Sequence, residues 1–251
     1  EVAGDSVDLR APLRLGAIQT DIPPGPTAYF DRAAEFEILM AGGGLSSQSE
    51  EAVLSGANRF AVETPRGWDI LQMANITLIG PNRYRCGAVL RGVGSEGYSR
   101  EGVSAGARIV WLNTGIETLN LNPDYIGEAV SMTATAAGQQ SNPVEFEYDA
   151  SHLKPLSPAH LSVRKENGLL ILSWIRRSRL DADSWLGEVP LGEGSERYRV
   201  RLWSGDSLAE AVEVTTPSYQ SAATNITQID VAQGSDLAGW GASAKLLISP
   251  I

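Results

Sequence analysis

The chain has 251 residues, of which 43% are hydrophobic and 20% charged, a balance that supports a packed core and argues against a disordered polypeptide. Its net charge of −10 opposes binding to nucleic acid or to anionic membrane surfaces. A single cysteine, Cys86, excludes an intramolecular disulfide, and no stretch approaches the ~20 apolar residues of a membrane-crossing helix.

In chain order the pattern is dominated by strands. Ala33–Met40 alternates Glu35 and Glu37 with Phe36, Ile38 and Met40. Ser47 followed by Glu50 reads as a capping box, with Ala52, Val53 and Leu54 as a short helix ended by Gly56. Arg59–Glu63 is the next strand. Ile76–Ile79 and Tyr84–Leu90 follow, split by Gly80-Pro81-Asn82 as hairpin strands are. In the second of these, Tyr84, Cys86, Ala88 and Leu90 form an apolar face opposite Arg83, Arg85 and Gly87. Arg108–Leu112 and Ser131–Ala137 complete the first half. Lys154-Pro155-Leu156-Ser157-Pro158 favours extended backbone, which suggests a stiff connector at about 149–158 between domains 1–150 and 151–251.

Beyond it, Leu161–Val163, Leu169–Trp174, Tyr198–Trp203, Val212–Thr216 and Ala244–Ile248 suit an antiparallel sandwich. An early strand carrying Trp174 and a later one carrying Tyr198 resemble the fibronectin type III arrangement, with a long connection from Arg176 to Glu196. The expected fold is all-β: an N-terminal barrel or sandwich-like domain, then a fibronectin type III-like sandwich. Glu1 is not a methionine and both ends look arbitrary, as in a segment of a longer polypeptide.

Catalytic signatures are weak. His152 and His160 both flank the connector and form no HxH or HExxH set, so neither a metal nor a cofactor is expected. Cys86, on an apolar strand face, reads as a structural thiol. Gly-Ser pairs occur without a nucleophile elbow. Gly92-Val93-Gly94-Ser95-Glu96-Gly97 matches G-x-G-x-x-G, but no helical stripe follows it, and it reads as a loop. Asp181-Ala182-Asp183 departs from calcium-loop spacing at Trp185. It reads as a solvated loop paired with Arg176, Arg177 and Arg179. Among six tryptophans, Trp111 and Trp174 lie in core-like strands. Trp185, Trp203 and Trp240 sit near loops or on a polar face, as platforms for a glycan or a protein.

Several blocks fall in one order. Pro24-Gly25-Pro26-Thr27 precedes Asp31-Arg32, then Val53–Asn58, Gly67-Trp68-Asp69-Ile70-Leu71-Gln72, Val89-Leu90-Arg91-Gly92 and Ala105–Arg108. Pro155–Leu161, Ser173–Arg179, Asp183-Ser184-Trp185 and Val189–Glu193 follow. This series resembles the C-terminal region of the gene transfer agent baseplate multidomain protein, a relative of siphophage tail-tip host-specificity proteins. The resemblance implies a non-enzymatic attachment module of a larger hub protein at the tail tip of a virion-like particle. Its implied partners are other baseplate and tail-hub proteins and a host surface glycan or receptor, with a homotrimer in the intact assembly. Two alternatives are a carbohydrate-binding module for envelope glycans and an accessory region of a glycoside hydrolase whose barrel lies upstream. No catalytic residue of that family maps onto this chain.

Overall fold

The computed structural model describes residues 7–8, 14–27, 29–112, 116–117, 119, 121–180 and 189–249. It is all-β, and its contacts divide it into two compact units. One comprises Val7–Glu117 with Arg177–Gly192; the other comprises Glu1–Ser6, Thr118–Arg176 and Glu193–Ile251. Residues 118–150, which composition groups with the first half, therefore cluster with the second unit.

The first unit is a closed six-stranded barrel. Its strands are β1 (Arg14–Ile18), β2 (Asp31–Met40), β3 (Arg59–Thr64), β4 (Gly67–Gly80), β5 (Arg83–Arg91) and β6 (Arg108–Trp111). They pair antiparallel in the order β1-β2-β5-β4-β3-β6, and β6 returns to β1 through Gly16 opposite Ile109. Closure leaves the barrel no free sheet edge. Alternation fills the interior with Ile18, Phe36, Ile38, Phe60, Val62, Leu71, Met73, Tyr84, Cys86 and Ile109. The expected hairpin at Pro81-Asn82 joins β4 to β5, with Asn82 at positive φ.

The apolar face of β5 does not run straight through. Asp31 lies opposite Val89 and Glu35 opposite Gly87, so four residues of β2 span two of β5. The bulge reverses the pleat at Ala88, whose φ is 51°. Tyr84, Cys86 and Val89 face the barrel core, whereas Ala88 and Leu90 join Phe30, Val53 and Ala74 in a second cluster. α1 (Glu50–Leu54) supplies Val53 to that cluster. Its N-cap is Ser49, which accepts from Ala52 N at 3.1 Å, and not Ser47. Ser47 is used by the sheet, where its hydroxyl donates to Ile76 O and accepts from Ile76 N.

The second unit begins with a ribbon of β7 (Ala129–Met132), β8 (Thr135–Ala136), β9 (Gln139–Gln140) and β10 (Val144–Glu147). The expected strand Ser131–Ala137 is thus one broken arm of a hairpin that turns at Ala137-Gly138. A sandwich follows, built from β11 (Ala159–Glu166), β12 (Leu169–Ile175), β13 (Tyr198–Ser204), β14 (Ser207–Val214), β15 (Ser218–Ser221), β16 (Gln228–Ser235) and β17 (Gly239–Leu247). Sheets β11-β12-β15 and β14-β13-β16-β17 have the strand order of a fibronectin type III-like domain. Leu172, Trp174, Tyr198, Val200, Leu202, Ile229 and Val231 form its core. Trp174 meets Tyr198 edge-on at 5.2 Å. Pro155 and Pro158 are buried, and the Pro155 carbonyl presses on Gly241 of β17, so the proline stretch is packed on the sandwich.

Candidate functional site

Several sequence blocks of the first half contact one another in the barrel unit. Arg91, the last residue of β5, has its side chain fully buried. Its guanidinium donates to Asp31 Oδ2 at 2.8 Å and to Pro23 O at 3.0 Å. The other oxygen of Asp31 accepts from Ala33 N and Ala34 N, the amides that the β2 bulge takes out of the ladder. One carboxylate therefore satisfies a bulge and a buried cation. Burial pushes the Asp31 carboxyl up, but the hydrogen bonds from Arg91, Ala34 and Ala33 outweigh it and hold the group below its usual range. A Cβ on Gly25 would run into both Arg91 and Asp31, which is why the Pro-Gly-Pro segment can lie over the pair.

Gly92–Gly97 forms the adjacent turn around a second buried carboxylate. Asp69, with no exposed surface, accepts from the Ser95 hydroxyl, from Gly97 N at 3.0 Å and from Ser99 N at 2.8 Å. Those amides open the single 3₁₀ turn Tyr98–Glu101. The G-x-G-x-x-G spacing is thus explained by a carboxylate from β4, with the glycines at 92, 94 and 97 in the left-handed region. Arg177 donates to the carbonyls of Gly92 and Ser95 and lies 3.9 Å from Glu96. Burial holds its pKa below the ordinary guanidinium range despite Glu96 and Asp69. Arg176 pairs with Glu196 at 3.4 Å. The acids Asp181, Asp183 and Glu188 lie outside the described residues.

Of the three tryptophans singled out as platforms, Trp185 also lies outside the described residues. Trp203 and Trp240 are half-buried on the second unit. Trp203 donates from Nε1 to Asp230 at 3.0 Å, and Arg199 and Arg197 lie over the Trp240 ring at 4.6 and 5.6 Å. Trp68 is 46% exposed, with Arg108 over its ring at 5.3 Å and Glu63 holding Arg108 at 2.7 Å. Its place beside the β3–β4 turn was the available sequence signal. Trp111 stacks on Phe60 in the barrel.

Two shallow grooves mark the barrel wall. One, of about 380 Å³, is lined by Asp21, Thr64, Arg66, Tyr98, Glu101 and Ser104. Arg66 bridges to Glu101 at 2.6 Å and covers the Tyr98 ring at 4.5 Å, so its polar groups are engaged with each other. The other, of about 350 Å³, lies over the β2 bulge between Arg32, Glu35, Asn75 and Arg85. Asp31, Glu37, Glu63 and Asp149 are all held below the usual range. Arg83 and Arg85 act on Glu37, Arg108 on Glu63, and the Ser151 amide on Asp149. Among the described residues no three of His, Cys, Asp and Glu come together as a metal site. Burial pushes the Cys86 thiol up to about 12, which makes it a packing group at neutral pH.

Residues 13–110 match the family Rcc01698-like, C-terminal. The matched segment spans β1 to β6 and so takes in the barrel, the Arg91–Asp31 pair and the Asp69 turn. No curated protein matches the chain. Among solved structures, the rat CD45 extracellular region, domains d3-d4, is similar over 55% of this chain and 72% of that one, at 10% identity and a TM-score of 0.30.

Proposed function

We propose that this chain is a non-enzymatic structural and attachment module of a phage-like tail tip or gene transfer agent baseplate, one part of a larger hub protein. The observation that carries the reading is the family match over residues 13–110, which is consistent with a gene-transfer-agent-like protein. The chemistry around the matched blocks supports it. Arg91 and Asp31 bond each other and nearby backbone, and Asp69 accepts from the Ser95 hydroxyl and two backbone amides, so each helps hold a loop in place. Its partners in this reading are neighbouring baseplate and hub proteins, with the host surface beyond them. The test is antibody labelling of this segment on assembled particles. Label at the tail tip supports the reading. Label on the capsid, or degradation of peptidoglycan or polysaccharide by the purified chain, overturns it.

A second reading, contact with an envelope glycan, is favoured by Trp68, whose indole is 46% exposed with Arg108, held by Glu63, over its ring. Titration with envelope oligosaccharides should then change the tryptophan fluorescence of the wild-type chain and leave that of a Trp68→Phe variant unchanged.

A further inference from the structure

The chain has nine asparagines, and one of them, Asn167, is followed by glycine. Asn167 and Gly168 are the two loop residues between β11 and β12, with Glu166 opposite Leu169 and Lys165 opposite Leu170. Both have positive φ, 51° and 81°, the mark of a type I′ turn. Both are exposed, and no atom beyond the chain neighbours lies within 4 Å of where a Cβ on Gly168 would stand. Water therefore reaches the backbone at this step. β11 is an edge strand of its sheet, paired with β12.

The side-chain amide of an asparagine has ammonia as its leaving group, and the next backbone nitrogen is the nearest nucleophile. When the Gly168 nitrogen gives up its proton and attacks Cγ of Asn167, an N–Cγ bond forms, the Cγ–Nδ2 bond breaks and ammonia carries the proton away. The resulting succinimide takes up one water at either carbonyl and leaves aspartate or isoaspartate. Glycine favours the ring because it has no Cβ to crowd it. The turn opposes it. Type I′ mirrors type I, and its ψ directs the Gly168 nitrogen away from Asn167 Cβ, out of reach of Cγ. The ring closes only when the turn has opened, and an exposed edge hairpin opens locally without unfolding the whole chain. We propose that Asn167 is a deamidation site that the closed β11–β12 hairpin blocks and its opening releases. The proposal stands on the hairpin and does not rest on the tail-tip reading. Isoaspartate adds a carbon to the main chain, which a two-residue loop of this type cannot hold in register, so conversion prevents the hairpin from closing as before.

The full chain, incubated in mildly alkaline buffer and then digested with trypsin, reports the reaction by mass. In urea that unfolds the chain, the peptide from Glu166 to Arg176 should gain the difference between an amide and a carboxyl before any peptide holding another asparagine does. In native buffer at the same pH the gain should be several-fold slower. Arg164→Gly weakens β11 without touching the turn and should speed the native reaction several-fold. Asn167→Gly keeps a residue suited to positive φ and should abolish the gain. Chain enriched in isoaspartate should exchange its β11 amide hydrogens several-fold faster than unconverted chain. Equal rates in native buffer and urea, or earlier conversion of another asparagine in the unfolded chain, overturns the proposal.

Discussion

Arg91 carries its charge with no exposed side-chain surface, and Asp31 answers it from 2.8 Å. Removing one member of such a pair leaves the other buried and uncompensated, at a cost of about 3–5 kcal/mol. Asp31→Asn should cost stability in this range in urea titrations, because it also weakens acceptance from the bulge amides. Replacing both residues, as Arg91→Met with Asp31→Leu, should recover part of the loss on the cation side only. The acid limb follows from the same contact. Asp31 titrates lower folded than unfolded, so its stabilisation is fully present above the unfolded value of about 3.9 and fades as pH falls through the folded one. Wild type should therefore lose stability as pH falls below about 4, and Asp31→Asn should show a shallower slope there. A slope unchanged by the substitution would remove Asp31 from that account.

At the scale of elements, alternation made most strands legible and contact supplied the rest. Tyr84 and Cys86 face the core as their spacing predicts, but the phase changes at Ala88 because β2 inserts extra residues opposite it. No local pattern in β5 reports an insertion in its partner. Ser47 and Ser49 both suit an N-cap, and the choice between them was made by the Ile76 backbone across the sheet. β16 is absent from the predicted strands, although it is almost wholly buried, since Asp230, Gln233 and Ser235 interrupt any apolar pattern. Their satisfaction comes from elsewhere, with Trp203 and Gln228 donating to Asp230. In β17 the sequence gives no hint that Gly241 is needed, yet a Cβ there would run into the Pro155 carbonyl. Gly241→Ala should destabilise the sandwich by about 1–3 kcal/mol, the usual cost of overpacking, read as a lowered urea midpoint. The same substitution at Gly205, where a Cβ meets open space but φ is 59°, tests strain alone and should cost less, about 1 kcal/mol.

For the whole molecule, the strand pattern was enough for an all-β chain, and the Trp174–Tyr198 pair was enough for the sandwich. The grouping of 118–150 and 177–192 was not, because composition marks where prolines lie and not which core a segment packs on. Two cores are the consequence that matters. One cluster gathers around Leu71, Met73 and Phe60 inside the barrel, the other around Leu172, Tyr198 and Val231 inside the sandwich. Each unit thus owns an apolar interior, which is the condition for cooperative unfolding of its own. Calorimetry of the full chain should resolve two transitions. Leu71→Ala and Leu172→Ala each empty a fully buried site and should cost about 2–5 kcal/mol, the first lowering one transition and the second the other. If both variants lowered one shared transition by similar amounts, the units would be a single cooperative body.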